Sequence, residues 1–585
     1  MKKVFVLLSF AVCISANAQY VTPGTGVTWN LDSLVTYSDG ALENVGGGRY
    51  HQTVNITVSP TDRFVQNTAF ELQMDGDVVL SAQNADFIID TPEQSKITAT
   101  NSSFVYSGLD FTDSSRVVLR NCIFEHGGGI RVLQCRFEMD SCTVQNMDYK
   151  TATSGAISAT GGDGIWSRIY IRKSNFRNNV RSALGSPANI GTTFIVDECL
   201  FENNNTENGN RPQLNLGPTI DGDTARIVKS IINGYRANTM TGGIGISYMM
   251  SEARTNNYMI EDNIIQNNRY GITFTGHYLN GTVLDNEILN NDTEGAPMTG
   301  GSGINITAPM GNVSVSASDN IIAGHLWGVT LVGSGAVCNF GNIAVPQNHP
   351  DYNLGFNIFR NNENGGQLHD FYNNSTADIM AQNNLWNVNV QDAESIETVI
   401  THKVDNNALG TVTFMPSSYG FPIYMETSFD ENCVMTLSWS HLGDVENGTY
   451  NIYRNGTLVG EAIEEQFYTA AVENEVCEWC VETVFETFVS GKACTENIIC
   501  TVSGISNAFA QSVTVYPVPT TDRIYISGTG IAKVEVYSAA GQMLIETDSA
   551  DASLTVDLSS INAGIYFIRI YDLNGNRTVR QIMKL

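Results

Sequence analysis

The sequence predicts an all-β chain in which a parallel β-helix is followed by two small antiparallel β-sandwich domains. Three observations predict it. An apolar residue recurs at coil-like spacing, with a small or polar residue two positions ahead of it. Each repeat is built of short Val-, Ile-, Phe- and Thr-rich runs separated by Gly and Asn. Two C-terminal stretches then alternate as ordinary strands. The chain has 585 residues, too many for one compact domain at roughly 100–200 residues each, so an elongated repeat domain with smaller appendages fits it better.

Residues 1–18 read as a secretory signal peptide. Lys2 and Lys3 give the positive start, "VFVLLSFAVCI" the apolar middle and Ala16 to Ala18 ("ANA") the cleavage site, so the mature chain is expected to begin at Gln19. The apolar run is short for a membrane span of about 20 residues. No later segment is long and apolar enough to cross a bilayer, so no transmembrane segment is expected in the mature chain. The formal charge of −29 argues against nucleic acid and against acidic lipid surfaces as partners. Cys13 leaves with the signal, and ten cysteines remain in a chain bound for an oxidising compartment, where disulfides are permitted. Five of them fall together: Cys433, Cys477, Cys480, Cys494 and Cys500. Cys477-x-x-Cys480 has the spacing of a zinc or redox pair. One or two extracellular disulfides are the better reading, with their connectivity open.

Residues 19–49 read as an opening strand and cap, because a bare solenoid end would present unpaired strand edges and core. Residues 50–416 carry the repeat. Its apolar column is Phe124, Val144, Phe176, Phe201, Ile232, Ile265, Leu289, Ile322, Phe359 and Trp386, at spacings of 20 to 37 residues. Two positions ahead of each lies Cys122, Cys142, Ser174, Cys199, Ser230, Asn263, Glu287, Asn320, Asn357 or Asn384. Such a period means stacked units, and the short interrupted runs mean strands and turns rather than helices. Each coil then places one apolar side chain above the next at about 4.8 Å. Asparagine suits the bend, since it tolerates left-handed φ and bonds to nearby backbone, and stacked asparagines can bond along the axis. Cys122, Cys142 and Cys199 share one column and are expected to stack as small core residues.

The cadence N-x-I-x-x-N-x-x-x-G-I and the ending "AQNNLWNV" resemble the right-handed parallel β-helix repeat proteins, which include pectate-lyase-like and polygalacturonase-like enzymes. The resemblance implies a right-handed coil and a frequent association with acidic glycans.

Residues 421–502 look like a fibronectin type III-like sandwich. Leu437 and Trp439 lie on one face, and Asn455-Gly456 makes a hairpin turn. Its expected role is a spacer or binding module. Residues 511–585 read as a second small sandwich, with short strands between Pro, Ala-Gly and Asn-Gly turns. They closely resemble the type A C-terminal sorting domain of the type IX secretion system. The matching residues are Tyr516, Pro517, Pro519, Gly541, Gly564 and Tyr566, with Val518 where asparagine is usual. The resemblance implies the type IX secretion machinery as partner, a Bacteroidetes-type bacterium, and a final location that is extracellular or attached to the outer-membrane surface.

A hydrolase on such a fold needs paired carboxylates. Polygalacturonase-like enzymes show an aspartate pair, a Gly-His-Gly and a basic residue. Here Leu326 follows Gly324-His325, Tyr278 follows Gly276-His277, and no Asp-Asp occurs in the upstream coils, so none of those roles carries over. "GGDGIWSRIYIRK" and "TIDGDTARIVK" each run an acid-rich turn into a basic strand. If successive coils align, their charges converge on one face. Asp163, Arg168, Asp221, Asp223 and His325 are therefore the catalytic candidates, beside the plainer reading that Asp-Gly pairs make turns. Trp166, Tyr170, Tyr270 and Trp327 are candidates to stack on sugar rings, and His325 and Trp327 are expected to point the same way in a strand. No metal or cofactor is expected, although the acidic turns keep calcium open. The absence of a recognisable catalytic set favours a secreted or surface scaffold that binds a glycan or adheres. The alternative is a polysaccharide lyase or glycoside hydrolase working in a groove of the β-helix.

Overall fold

The structure is a computed structural model. It describes residues 19–162, 167–430, 433–441, 448–471, 476–485, 489–499, 509, 512–538, 543–548, 553–573 and 577–584. The signal peptide, Asp163, Trp166, Gly541 and Cys500 lie outside the described residues.

Fourteen parallel strands, from Gln19–Val21 to Ile400–Thr401, stack into one sheet along the axis. The other parallel strands form a second and a third face, which Asp86–Ala99 and Arg116–Glu125 join by running unbroken round the corner. The result is a right-handed parallel β-helix with one continuous core from Trp29 to Val412. A helix not foreseen in the sequence, Leu31–Tyr37, plugs the first coil with Leu34 and is started by a capping box between Asn30 and Ser33.

The apolar column is real and longer than predicted. Strand register stacks Tyr50, Leu72, Ile97, Phe124, Val144, Phe176, Phe201, Ile232, Ile265, Ile288, Ile322 and Phe359 in turn. Trp386 closes it, stacked on Phe359 at 4.8 Å. One member is corrected. Ile288, not Leu289, faces inward, because the inward residue is the middle of each three-residue strand on this face and here that strand is Glu287–Leu289. Asn286 accordingly replaces Glu287 in the polar column.

That polar column is a ladder. The side-chain amide of each asparagine donates to the next carbonyl oxygen, Asn263 to Asn286 (2.9 Å), Asn286 to Asn320 (2.9 Å), Asn320 to Asn357 (2.8 Å) and Asn357 to Asn384 (3.0 Å). The left-handed backbone falls one residue earlier, at Asp262, Asp285 and Asp319 (φ 53–58°). At the next corner the repeated Asn-Asn pairs divide the labour. Asn267 and Asn290 take the left-handed φ, while Asn268 and Asn291 are buried and bond along the axis. Exactness of fit shows in one glycine column too: a Cβ at Gly271 would lie 2.4 Å from the Gly303 carbonyl oxygen. The corner carrying the first ladder keeps one length over six successive coils. Two residues separate Arg168–Arg172 from Asn175–Arg177, Thr193–Asp197 from Leu200–Glu202, and the corresponding strands through Val313–Ser318 and Ile321–Ala323.

Beyond the helix, Pro422–Phe429, Val434–His441 and Phe467–Ala471 face a four-stranded sheet containing Thr449–Arg454 and Trp479–Val484. Leu437 and Trp439 are both in its core, and Asn455 and Gly456 carry the positive φ of a two-residue turn. The last residues form a second pair of antiparallel sheets of three and four strands around Ile524, Val536 and Ile568. Cys122, Cys142 and Cys199 are buried free thiols in the core, as their column predicts. Cys480 is bonded to Cys494, and Cys433 is also in a disulfide. No described helix is long and apolar enough to cross a membrane.

Candidate functional site

The outward faces of the second sheet bring together residues that are far apart in sequence. In three successive strands there alternate positions point out and those between them bury apolar side chains: Arg136, Glu138 and Asp140; Arg168, Tyr170 and Arg172; Ile195 and Asp197. Register then builds two outward columns. One runs Asp90, Arg120, Asp140, Arg172, Asp197, alternating in charge. A second runs Glu138, Tyr170, Ile195, Arg226. Their middle members, from Arg120 and Glu138 to Ile195 and Asp197, line an open groove of about 460 Å³.

The charges are closely paired. Arg120 donates to Asp90 at 2.6 Å, Arg136 to Glu138 at 3.0 Å, Arg172 to Asp140 at 3.1 Å and Arg168 to Asp223 at 2.8 Å. Burial raises the Asp140 carboxyl, but bonds from Arg172 and Ser141 outweigh it and hold it below the usual carboxylate range. Asp223 behaves alike: burial is overcome by bonds from Arg168, the Thr224 N–H and Thr193. Tyr170, 38% exposed, stands on the groove floor between these pairs.

The predicted convergence of the two basic strands therefore occurs for Arg168, Tyr170, Asp223 and Arg226. Asp221 does not join them: its carboxylate accepts the Thr255 N–H at 2.8 Å beside Gly222 (φ 77°), a turn role. Nor does His325. It lies 2% exposed inside the second polar ladder, not in a strand, so strand parity does not align it with Trp327. Its Nδ1 accepts the Asn291 N–H (3.1 Å) and its Nε2–H donates to the Ile288 carbonyl (3.0 Å). Burial pushes its pKa down to about 4, so it is a neutral stand-in for asparagine. Tyr270 is half-buried, its ring filling the space a side chain on Gly242 would need. Trp327 is on the first sheet, its indole donating to the Pro297 carbonyl at 3.2 Å and its ring stacked on Tyr372 at 4.9 Å.

The groove arginines Arg120 and Arg136 and the acid Asp140 escaped the sequence reading. Their signal was present in "RFEMD", where charged and apolar residues alternate, and more faintly in "RVVLR", which is charged only at its two ends. The group of metal-ligand type among the described residues is Glu478 with Cys480 and Cys494. Its two sulfurs are bonded to each other, which leaves no thiolate for zinc and no redox role for Cys477-x-x-Cys480 in this state.

His325 allows a sharp test. His325→Ala leaves the Asn291 N–H and Ile288 carbonyl buried and unbonded, and is expected to cost roughly 3 kcal/mol. His325→Asn restores both bonds and is expected to cost under about 1 kcal/mol. Because the folded pKa lies below the unfolded value near 6.5, the unfolded chain binds more protons between pH 6.5 and 4. Stability is lost as pH falls through that window, by up to about 3 kcal/mol, and His325→Asn removes that slope. Thermal unfolding at pH 5 and pH 8 checks both statements.

Residues 514–584 match the family described as "Secretion system C-terminal sorting domain". In that segment Tyr516 is exposed and pairs with Tyr525, Pro517 and Pro519 follow the strand Thr514–Tyr516, Gly564 opens the strand Gly564–Asp572, and the Tyr566 hydroxyl donates to the Asn562 carbonyl at 2.7 Å. No curated protein matches the chain. Among solved structures, the periplasmic alginate epimerase AlgG is similar at 11% identity over 66% of this chain and 83% of that chain, with a TM-score of 0.33. A two-domain fibronectin type III segment of chicken tenascin is similar at 10% identity over 28% of this chain and 99% of that chain, with a TM-score of 0.12. The C-terminal sorting domain marks the chain for export to the cell surface or the extracellular space.

Proposed function

We propose that this exported chain, sent out by the type IX secretion machinery after signal-peptide removal, is a glycan-binding or adhesive scaffold that holds a saccharide chain in the second-sheet groove. The observation that carries the reading is Tyr170, an exposed ring set between arginine–carboxylate pairs. Sugar hydroxyls both donate and accept, and interleaved guanidinium and carboxylate groups answer both. The ring offers an apolar face to the C–H side of a sugar. The groove is open to solvent rather than enclosed, which suits a segment of a longer chain. The first sandwich acts as the spacer between this groove and the sorting domain.

A lyase or hydrolase in the same groove has less behind it. A glycosidase needs one carboxyl kept protonated near neutral pH, whereas Asp140 and Asp223 are each clamped by an arginine and held ionised.

A glycan array probed with the mature chain tests the reading. Retention of at least one polysaccharide is expected, with Tyr170→Ala weakening it about tenfold or more, the worth of roughly 1.4 kcal/mol or above for a buried aromatic contact. An array with no retained glycan, or one on which Tyr170→Ala binds like the parent, turns the proposal down.

A further inference from the structure

The Tyr170 groove does not end at Asp197. A second open hollow, of about 760 Å³, starts from the same two side chains, Ile195 and Asp197, and runs on along the axis past Arg226 to Asp285. Register carries the surface without a break from Arg116–Glu125 to Leu279–Leu284. Six steps at about 4.8 Å each give a length of about 29 Å, room for several sugar rings end to end.

Neither hollow presents a single sign of charge. Arg120, Arg136 and Arg172 stand among Glu138, Asp140 and Asp197 in the first. Arg226 and Lys229 stand among Glu261, Asp262 and Asp285 in the second. In the outward column Asp140, Arg172 and Asp197 the sign changes at every coil. A polymer with a carboxylate or an ammonium on each sugar would therefore set some of its charges against like charges, having given up their water. Hydroxyl groups meet no such conflict, because each can donate to a carboxylate and accept from a guanidinium. Arg226 is exposed, and its guanidinium contacts the Met259 sulfur at 3.6 Å rather than a carboxylate, so its remaining N–H groups can turn to a ligand.

We propose that the two hollows form one cleft and that its ligand is an uncharged linear polysaccharide lying across both. The inference rests on the saccharide reading of the Tyr170 groove and adds to it a length, a charge class and two further specificity residues, Arg226 and Lys229.

Calorimetric titration of the mature chain with linear oligosaccharides tests it. The probes are dimers and hexamers of β-1,4-glucan, β-1,4-mannan and β-1,3-glucan, with galacturonate and glucosamine hexamers as the charged counterparts. One neutral hexamer is expected to bind about tenfold or more tighter than its own dimer, and by the same margin tighter than either charged hexamer. Raising salt from about 0.05 M to about 0.5 M is expected to change that affinity by less than about twofold, since screening acts on charged ligands. Arg226→Ala, at an exposed position, is expected to weaken the hexamer about fivefold and leave the dimer unchanged, whereas Tyr170→Ala weakens both. A charged hexamer that binds tightest, a dimer equal to its hexamer, or an Arg226→Ala variant that holds the hexamer like the parent would overturn this inference and leave the Tyr170 reading standing. Failure to bind any saccharide would remove both.

Discussion

Asn320→Ala is expected to destabilise the middle coils by about 4 kcal/mol or more, among the largest effects of any single change in the chain. The Asn320 side-chain oxygen Oδ1 accepts both the backbone N–H (3.0 Å) and the side-chain amide (2.9 Å) of Asn286. Its own amide donates to Asn357 (2.8 Å), the Val283 carbonyl (2.9 Å) and the Ser318 carbonyl (2.8 Å). All of this is buried. Alanine satisfies none of these partners, and each stranded group costs roughly 1–3 kcal/mol. Some partners keep second bonds, so the sum falls short of five full penalties. Asn280→Ala is the control. Asn280 is exposed, and its one side-chain bond, to Asn257 at 3.1 Å, is open to water, so a change within about 0.5 kcal/mol is expected. A solenoid need not unfold in one step. Native-state hydrogen exchange at the amides of Leu279–Leu284 and Glu287–Leu289 is therefore the better readout. Equal protection in the two variants would show that the ladder bears no load.

Deleting residues 511–585 is expected to abolish surface delivery almost completely while leaving the β-helix intact. The C-terminal sandwich has its own core, from Phe509 to Ile582, and none of those buried residues belongs to the solenoid core. Its removal therefore takes away a transport signal without opening a cavity elsewhere. Fractionation with surface proteolysis of whole cells checks the first half, and an unchanged melting temperature for the exported and truncated chains checks the second. Undiminished surface protein after the deletion would remove the sorting role from this segment.

The architecture was legible because the two columns repeat a steric demand on every coil, so a misread member such as Leu289 could not hide the pattern. The slip itself has a plain cause. "NEILNN" offers two adjacent apolar residues, and only strand pairing shows that Ile288 is the inward one. The groove was half legible. Arg168, Tyr170 and Asp223 stood out locally, but Arg120 and Asp140 gain meaning only when coils of unequal length are brought into register. His325 misled because a histidine beside glycine looks like chemistry in one dimension. In three dimensions it occupies a position where its neighbours on other coils carry asparagine.

The two-residue corner has an evolutionary and practical consequence. Since that bend keeps two residues from Arg168–Arg172 through Ile321–Ala323 while coil lengths vary, the variation among those coils falls in the loops on either side of the fourteen-stranded sheet. New segments can be grafted there, or whole turns duplicated, without disturbing the register that aligns Tyr170 with its arginines. Where the corner does lengthen, the extra residues bulge out and the column resumes: Asp90 and Ser95 pair with Arg120 and Cys122, and Ile97 still stacks on Phe124. The molecule is thus built as a rigid spine with one variable flank, free to diversify what it displays while its scaffold stays fixed.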